Sequence, residues 1–351
     1  MNRPDHLVLY LSGRCNLACP HCYARGVSKD TISAGALRSA LAAFAAARRR
    51  APGTDCGESR PVPARPGSPR FTILGGEPLL SRTVLRLALL EIRRLFGRGA
   101  PVHLFTNGLP LKKGEARALL ARGVKLTVSM DGPAARRAAA AAKLPPALRA
   151  RVSASVVATP ASAGRLAAEL AELSGLGFSS LAWSPDITAR WDAAALRRLR
   201  ASARELLLEY LRRLKTGLGV WELANGYEAV ALAARGERPG PCRNLALAPD
   251  GFFYPCDKML SGPAAQLKPF RCGPGGEGRE KFFALARAAG MRASQSMCPA
   301  APWAAARFGP RPRPRPVPAG QAAARRVAAG WLAAAARAGL SSPVFRRIHG
   351  T

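Results

Sequence analysis

Acidic side chains are scarce in this chain: 21 Asp and Glu stand against 54 Lys and Arg, a formal net charge of +33 over 351 residues. Such a surplus ordinarily signals nucleic acid or another polyanion. Here, however, the charge is spread along nearly every helix-forming segment, arginine far exceeds lysine, and alanine fills the rest. That is the look of a GC-rich coding sequence, and no recognised nucleic-acid motif accompanies it, so no nucleic-acid partner is expected. Long apolar runs are also missing. Nothing approaches the roughly twenty apolar residues of a membrane span, and the N-terminus lacks a basic segment followed by an apolar core and cleavage site. Neither membrane insertion nor secretion is expected, which leaves a reducing cytoplasm as the expected compartment and makes disulfides a poor explanation for the eight cysteines. No internal repeat is visible.

What is present is concentrated in a few short runs. Cys15-Asn16-Leu17-Ala18-Cys19-Pro20-His21-Cys22-Tyr23 supplies three thiols with no fourth nearby. Four thiolates would saturate a 4Fe-4S cube, whereas three leave one iron open to an outer ligand, a catalytic arrangement. A zinc knuckle with His21 as fourth ligand is the competing reading. The spacing, with an aromatic directly after the last cysteine, resembles the signature of radical S-adenosylmethionine (SAM) enzymes. That resemblance implies a 4Fe-4S cluster on Cys15, Cys19 and Cys22 whose open iron chelates the amino and carboxylate groups of SAM. Leu7 to Leu11 reads as a buried strand, so the cysteines follow a strand's C-terminal end, the catalytic face of barrel-type α/β folds.

A second apolar strand, Phe71 to Leu74, leads into Gly75-Gly76-Glu77-Pro78. Paired glycines let backbone approach a ligand closely, and a carboxylate can accept from an ammonium group. The run resembles the family's GGEP motif, which implies that it holds the SAM amino group; alone, a Gly-Gly turn is most often only a turn. Val102 to Phe105 then Thr106-Asn107-Gly108, and Lys125 to Val128 then Ser129-Met130-Asp131-Gly132, make a third and a fourth strand with polar ends. Ser129 and Asp131 are candidates to bond ribose hydroxyls, against a plain Asp-Gly turn, and Asn107 stands evenly between a binding and a turn role. Val152 to Ala158 alternates small polar and apolar residues as a fifth strand, with Ser155 facing either the site or the packing. Leu181 to Pro185 is the sixth.

Between these strands, Ala34 to Arg50, Arg82 to Gly97, Lys113 to Arg122, Ala163 to Gly175 and Asp192 to Lys215 read as helices. Alternation of this kind implies parallel strands with crossover helices. With the resemblance, the expected fold class is α/β, a partial (β/α)6 TIM-like barrel over residues 1–215, interrupted by a Pro/Arg-rich insertion at 51–70 that carries Cys56. A small C-terminal auxiliary cluster domain is expected at 216–306, then a Pro/Arg-rich linker and terminal helix at 307–351.

The auxiliary expectation rests on Cys242, Cys256, Cys272 and Cys298. An Asp250-Gly251 turn between two short strands makes a hairpin that carries Cys242 and Cys256 from its two ends. The pattern resembles the opening of the SPASM and twitch domains appended to radical SAM barrels, which implies one auxiliary 4Fe-4S cluster on these four thiols. The denser later cysteine set of a complete SPASM domain is missing. Asp257, directly after Cys256, is a candidate base in the manner of the resembling sulfatase-maturing enzymes, or a turn-capping residue. Cys298 is a cluster ligand or, alternatively, a hydrogen-atom donor.

The resemblance further implies ferredoxin or flavodoxin as reductant and a peptide or protein substrate, modified by thioether formation, epimerisation or side-chain oxidation. A small-molecule oxidase of the aminoglycoside or haem-precursor type is the second reading, and a non-catalytic metal-stabilised nucleic-acid-binding protein the third. Strands start almost at once after Met1, leaving no room for an N-terminal leader-binding domain, so recognition of any leader is expected to fall to a separate leader-peptide-binding protein, to the basic insertion or to the tail.

Overall fold

The computed structural model describes residues 4–49, 69–217, 219, 221–223, 242–290, 304, 307, 319–340, 342 and 343. Cys56, Cys298 and nearly all of the 51–70 insertion lie outside them. The chain divides into two compact units: the first joins residues 1–106, 117–126 and 241–316, the second 107–116, 127–240 and 317–351.

In the first unit the central strand is β1 (His6–Tyr10), flanked by two parallel partners. One is β2 (Arg70–Leu74), which pairs in turn with β3 (Val102–Thr106). The other comes from far along the chain: β8 (Asn244–Leu247) lies parallel to β1, with His6 opposite Asn244. A strand buried on both faces reads as a continuous apolar run, and Leu7 through Tyr10 are all buried. Helices α1 (Ala34–Arg49) and α2 (Arg82–Phe96) cover these strands. α1 buries Leu37, Ala40, Leu41, Phe44 and Ala45, the i, i+3, i+4, i+7 spacing of one helix face. Phe44 meets the rings of Phe71, Phe96 and Phe253 at 6.3, 6.0 and 6.5 Å, so a single aromatic ties helix, barrel strand and hairpin into one core.

The hairpin forms as its sequence predicts. β8 and β9 (Phe253–Tyr254) run antiparallel, with Ala246 opposite Tyr254. Gly251 takes φ 81° in the turn, where only glycine is unstrained, and Asp250 accepts from the Phe252 amide. The helix Glu280–Ala288 closes this part of the unit.

Strand β4 (Val124–Ser129) enters the second unit at Thr127 and pairs there in parallel with β5 (Ser153–Ala158). β5 pairs with β6 (Ser180–Pro185), and β6 with the short β7 (Glu222–Leu223). The long helix Ala193–Thr216 begins where Asp192 accepts from the Ala195 amide at 2.7 Å and ends on left-handed Gly217. The terminal helix Ala319–Gly339 packs on this long helix and on β6: Trp331 lies 5.8 Å from Trp183 and 6.3 Å from Tyr210, ring to ring. No helix among the described residues is long and apolar enough to cross a membrane.

Candidate active site

The GGEP loop owes its glycines to backbone crowding. The Gly76 amide donates to the Ser12 carbonyl at 2.9 Å and the Glu77 amide to the Arg14 carbonyl at 2.7 Å. These bonds splice the turn after β2 onto the turn after β1 that opens into Cys15. A Cβ at Gly75 would stand 2.5 Å from the Ser12 oxygen, and one at Gly76 would overlap the Arg14 oxygen. Glycine at these positions is therefore demanded by chain-to-chain contact, whatever else the loop holds.

Glu77 is 2 % exposed. Its Oε1 accepts from the Leu79 amide at 3.0 Å, capping the 3-10 turn Pro78–Ser81, and from the Thr106 hydroxyl at 2.7 Å. Thr106 stands at the end of β3 and was not a candidate on sequence grounds; its place before Asn107 was the available signal. The two bonds fix the carboxylate's position at the C-terminal ends of the first unit's parallel strands.

In the cysteine loop, Cys15 is exposed while Cys19 and Cys22 are half-buried, and all six described cysteines remain thiols. The Arg25 guanidinium donates to the Ala18 and Cys19 carbonyls, and the Cys22 amide bonds back to the Cys19 carbonyl at 3.1 Å, so the loop is held by bonds among its own residues. Burial pushes the Cys22 thiol up, and charge on Cys19 and Cys15 acts in the same direction. Among the described residues no three His, Cys, Asp or Glu side chains converge on a single metal position. Three thiols on one loop, beside a turn that carries a buried carboxylate, are donors whose chemistry would suit an iron–sulfur cluster with an open position.

Tyr23 extends this loop toward the hairpin within the same unit. Its hydroxyl meets that of Tyr10 at 3.1 Å, and burial pushes both phenols up. The Lys258 ammonium lies 3.9 Å over the Tyr23 ring and pairs with Asp257 at 2.6 Å. Burial works against the Lys258 charge, but Asp257 and Tyr23 outweigh it and hold the ammonium above its ordinary value. Ser261 donates to the Tyr23 carbonyl. The stretch after Cys256 is in this way fastened to the residue after Cys22. Asp257, buried, opens the 3-10 turn Asp257–Met259, its carboxylate on Lys258.

At the hairpin base the Cys272 amide donates to the Phe253 carbonyl at 2.9 Å, laying Cys272 beside β9. Burial drives its thiol to about 12, with Glu277 and Glu280 pushing the same way and Arg279 opposing. Arg279, buried, is in electrostatic reach of Cys242, Cys272 and Cys256 together. Sequence reading missed it, since one arginine among so many carries no signal.

In the second unit Ser129 and Ser155 are register partners on β4 and β5, both half-buried on one face. Asp131 accepts from the Val157 amide at 2.6 Å, which gives it a turn-holding task at the end of β5. Asn107 accepts from the Leu109 amide at 3.1 Å, an Asx turn.

No family model matches the chain. A GTP 3',8-cyclase of Synechococcus sp. (strain CC9605) is 34% identical over 152 residues, which cover 40% of this chain and 38% of that protein. The chain thus matches well under half the length of this curated relative. Among solved structures, native anSMEcpe with bound AdoMet and Cp18Cys peptide superposes with TM-score 0.58 at 17% identity, over 79% of each chain. Native anSMEcpe with bound AdoMet gives 0.57 at 17% identity, over 79% of this chain and 80% of that one. At such identity the likeness shows the fold, which is α/β of the partial-barrel class with mostly parallel strands.

Proposed function

We propose that this chain is a radical SAM enzyme, with a 4Fe-4S cluster on Cys15, Cys19 and Cys22 and SAM as its cosubstrate. The observation that carries the reading is the pair of backbone bonds from Gly76 to Ser12 and from Glu77 to Arg14, which join the three-cysteine loop to the GGEP turn at the ends of parallel β1 and β2. A zinc knuckle has no need of that splice. When bound, the reduced cluster supplies the electron that splits SAM into methionine and a 5'-deoxyadenosyl radical able to take hydrogen from a C–H bond. Glu77, aimed by Thr106 and the Leu79 amide, holds the SAM ammonium through a charge-assisted bond. Gly75 and Gly76 let this turn close onto the Ser12 to Arg14 backbone, and Pro78 fixes its exit. Tyr23 packs the loop against Lys258.

Cys242, Cys256 and Cys272, with Cys298 as fourth ligand, carry one auxiliary 4Fe-4S cluster in a domain at 216–306. Asp257 is the candidate base beside it, its carboxylate held in place by Lys258. The substrate class we favour is a peptide or protein. Support comes from the partial-barrel fold shared with a peptide-bound structure. The second reading, a small-molecule substrate, draws on the relative's action on GTP.

Anaerobic reconstitution tests the proposal. Two clusters give about eight irons per chain. Replacing Cys15, Cys19 and Cys22 by Ala should remove about half and end 5'-deoxyadenosine formation. Continued SAM cleavage by the triple variant would defeat the assignment. Mass shifts after incubation with a peptide encoded beside this chain, or with GTP, separate the two substrate readings.

A further inference from the structure

The bonds from Arg25 to the Ala18 and Cys19 carbonyls hold the three-cysteine loop at its surface, where water competes for the same groups. A better shielded grip comes through Tyr23, directly after Cys22. Its hydroxyl meets that of Tyr10 at 3.1 Å, and Tyr10 stands buried on β1. Its carbonyl accepts from Ser261, 238 residues further along the chain. The Lys258 ammonium lies 3.9 Å from the centre of its ring. A hydroxyl bond fixes one point of a phenol and leaves the ring free to swing about it, whereas a cation on the face fixes the plane as well. Lys258 is itself well placed. Asp257 pairs with its ammonium at 2.6 Å, its side chain is only 23 % exposed, and the 3-10 turn Asp257–Met259 that carries it follows β9 within the same compact unit as Tyr10 and Tyr23.

We propose that Lys258 is a positioning residue for the three-cysteine loop: lying on the face of Tyr23, it fixes the plane of the ring and with it the backbone that carries Cys22. Order in the N-terminal cysteine loop is thereby set by the segment after β9. The inference goes beyond the reading above and holds whatever the thiols bind. Charge and ring are both needed, since the ammonium is attracted by the electron-rich face of the phenol and Asp257 keeps it aimed there.

Amide hydrogen exchange tests this on the full-length chain, thiols reduced and iron absent, for the wild type, Lys258→Met and Lys258→Arg. The reporter is the Cys22 amide, which donates to the Cys19 carbonyl, and the amides of β1 are the reference. Lys258→Met should lower the protection of the reporter about fivefold or more, as losing a partly desolvated cation–π contact implies, and leave the reference unmoved. Lys258→Arg, which keeps a cation able to stack on the ring, should stay near the wild type. An unmoved reporter in Lys258→Met overturns the inference, and so does a loss in Lys258→Arg as large as that in Lys258→Met. Equal loosening of reporter and reference overturns it in favour of a general packing role. Should Lys258→Met fail to fold, the ring carries the test: Tyr23→Phe, which keeps the face, should protect the reporter more than Tyr23→Leu, which loses it, and equal protection in the two overturns the inference.

Discussion

Glu77 has two tasks that can be separated by one atom. Its Oε1 holds the Leu79 amide and the Thr106 hydroxyl, a structural task that a neutral amide oxygen performs equally well, whereas holding an ammonium needs the charge. Glu77→Gln should therefore leave thermal stability and iron content near the wild type and weaken SAM binding about tenfold or more, as losing a charge-assisted bond implies. Equilibrium dialysis of the reconstituted protein with SAM reads this directly, and unchanged affinity would remove Glu77 from the site. The sequence marked Glu77 and the three-cysteine loop because their spacing is local. It could not mark Thr106, Lys258 or Arg279, whose importance comes from what a distant segment places beside them. The paired glycines were legible as a close approach, but the approaching partner is the Ser12 to Arg14 backbone.

At the scale of elements, long apolar runs and alanine-leucine helices were readable to within a residue or two. The strand read from Leu7 to Leu11 is His6–Tyr10, and the helix read from Asp192 to Lys215 is Ala193–Thr216. The helix Ala134–Ala142 escaped notice: AARRAAAAA has no large apolar side chain to set a period. The partner of β1 on its second side was equally hidden, because pairing across more than two hundred residues leaves no local trace. His6 marks that pairing. Its Nδ1 faces the Asn244 amide oxygen at 3.1 Å and its Nε2 the Thr72 hydroxyl at 2.8 Å, so a neutral ring with its proton on Nδ1 satisfies a strand on either side. Burial first, and the Arg70 charge second, lower its pKa to about 4. The unfolded chain, near 6.5, takes up a proton that the folded chain refuses, so stability falls as pH drops from about 6.5 toward 4. His6 contributes a loss of about 2 kcal/mol between pH 7 and pH 5. Urea midpoints at the two pH values, compared with those of His6→Gln, check this: the variant should show the smaller drop, and equal drops would refute it.

Over the whole molecule, the order in which the chain is made differs from the order in which its strands lie. β1 is synthesised first, yet one of its two neighbours, β8, begins at Asn244. Until then β1 offers bare amides and carbonyls along one edge, the kind of edge that recruits other chains. Long-range parallel pairing also forms slowly, because the loop must close before any contact rewards it. A chain ending at residue 240 keeps all six strands read as the barrel, but it should aggregate on expression, while the full-length chain should not. Recovery of a monodisperse, cooperatively unfolding 1–240 fragment would contradict this. The hairpin thus serves its own neighbour: by laying β8 against β1, the segment that carries Cys242 and Cys256 acts as a tethered chaperone, and a ribosome stalled anywhere before Asn244 leaves a nascent chain exposed to self-association.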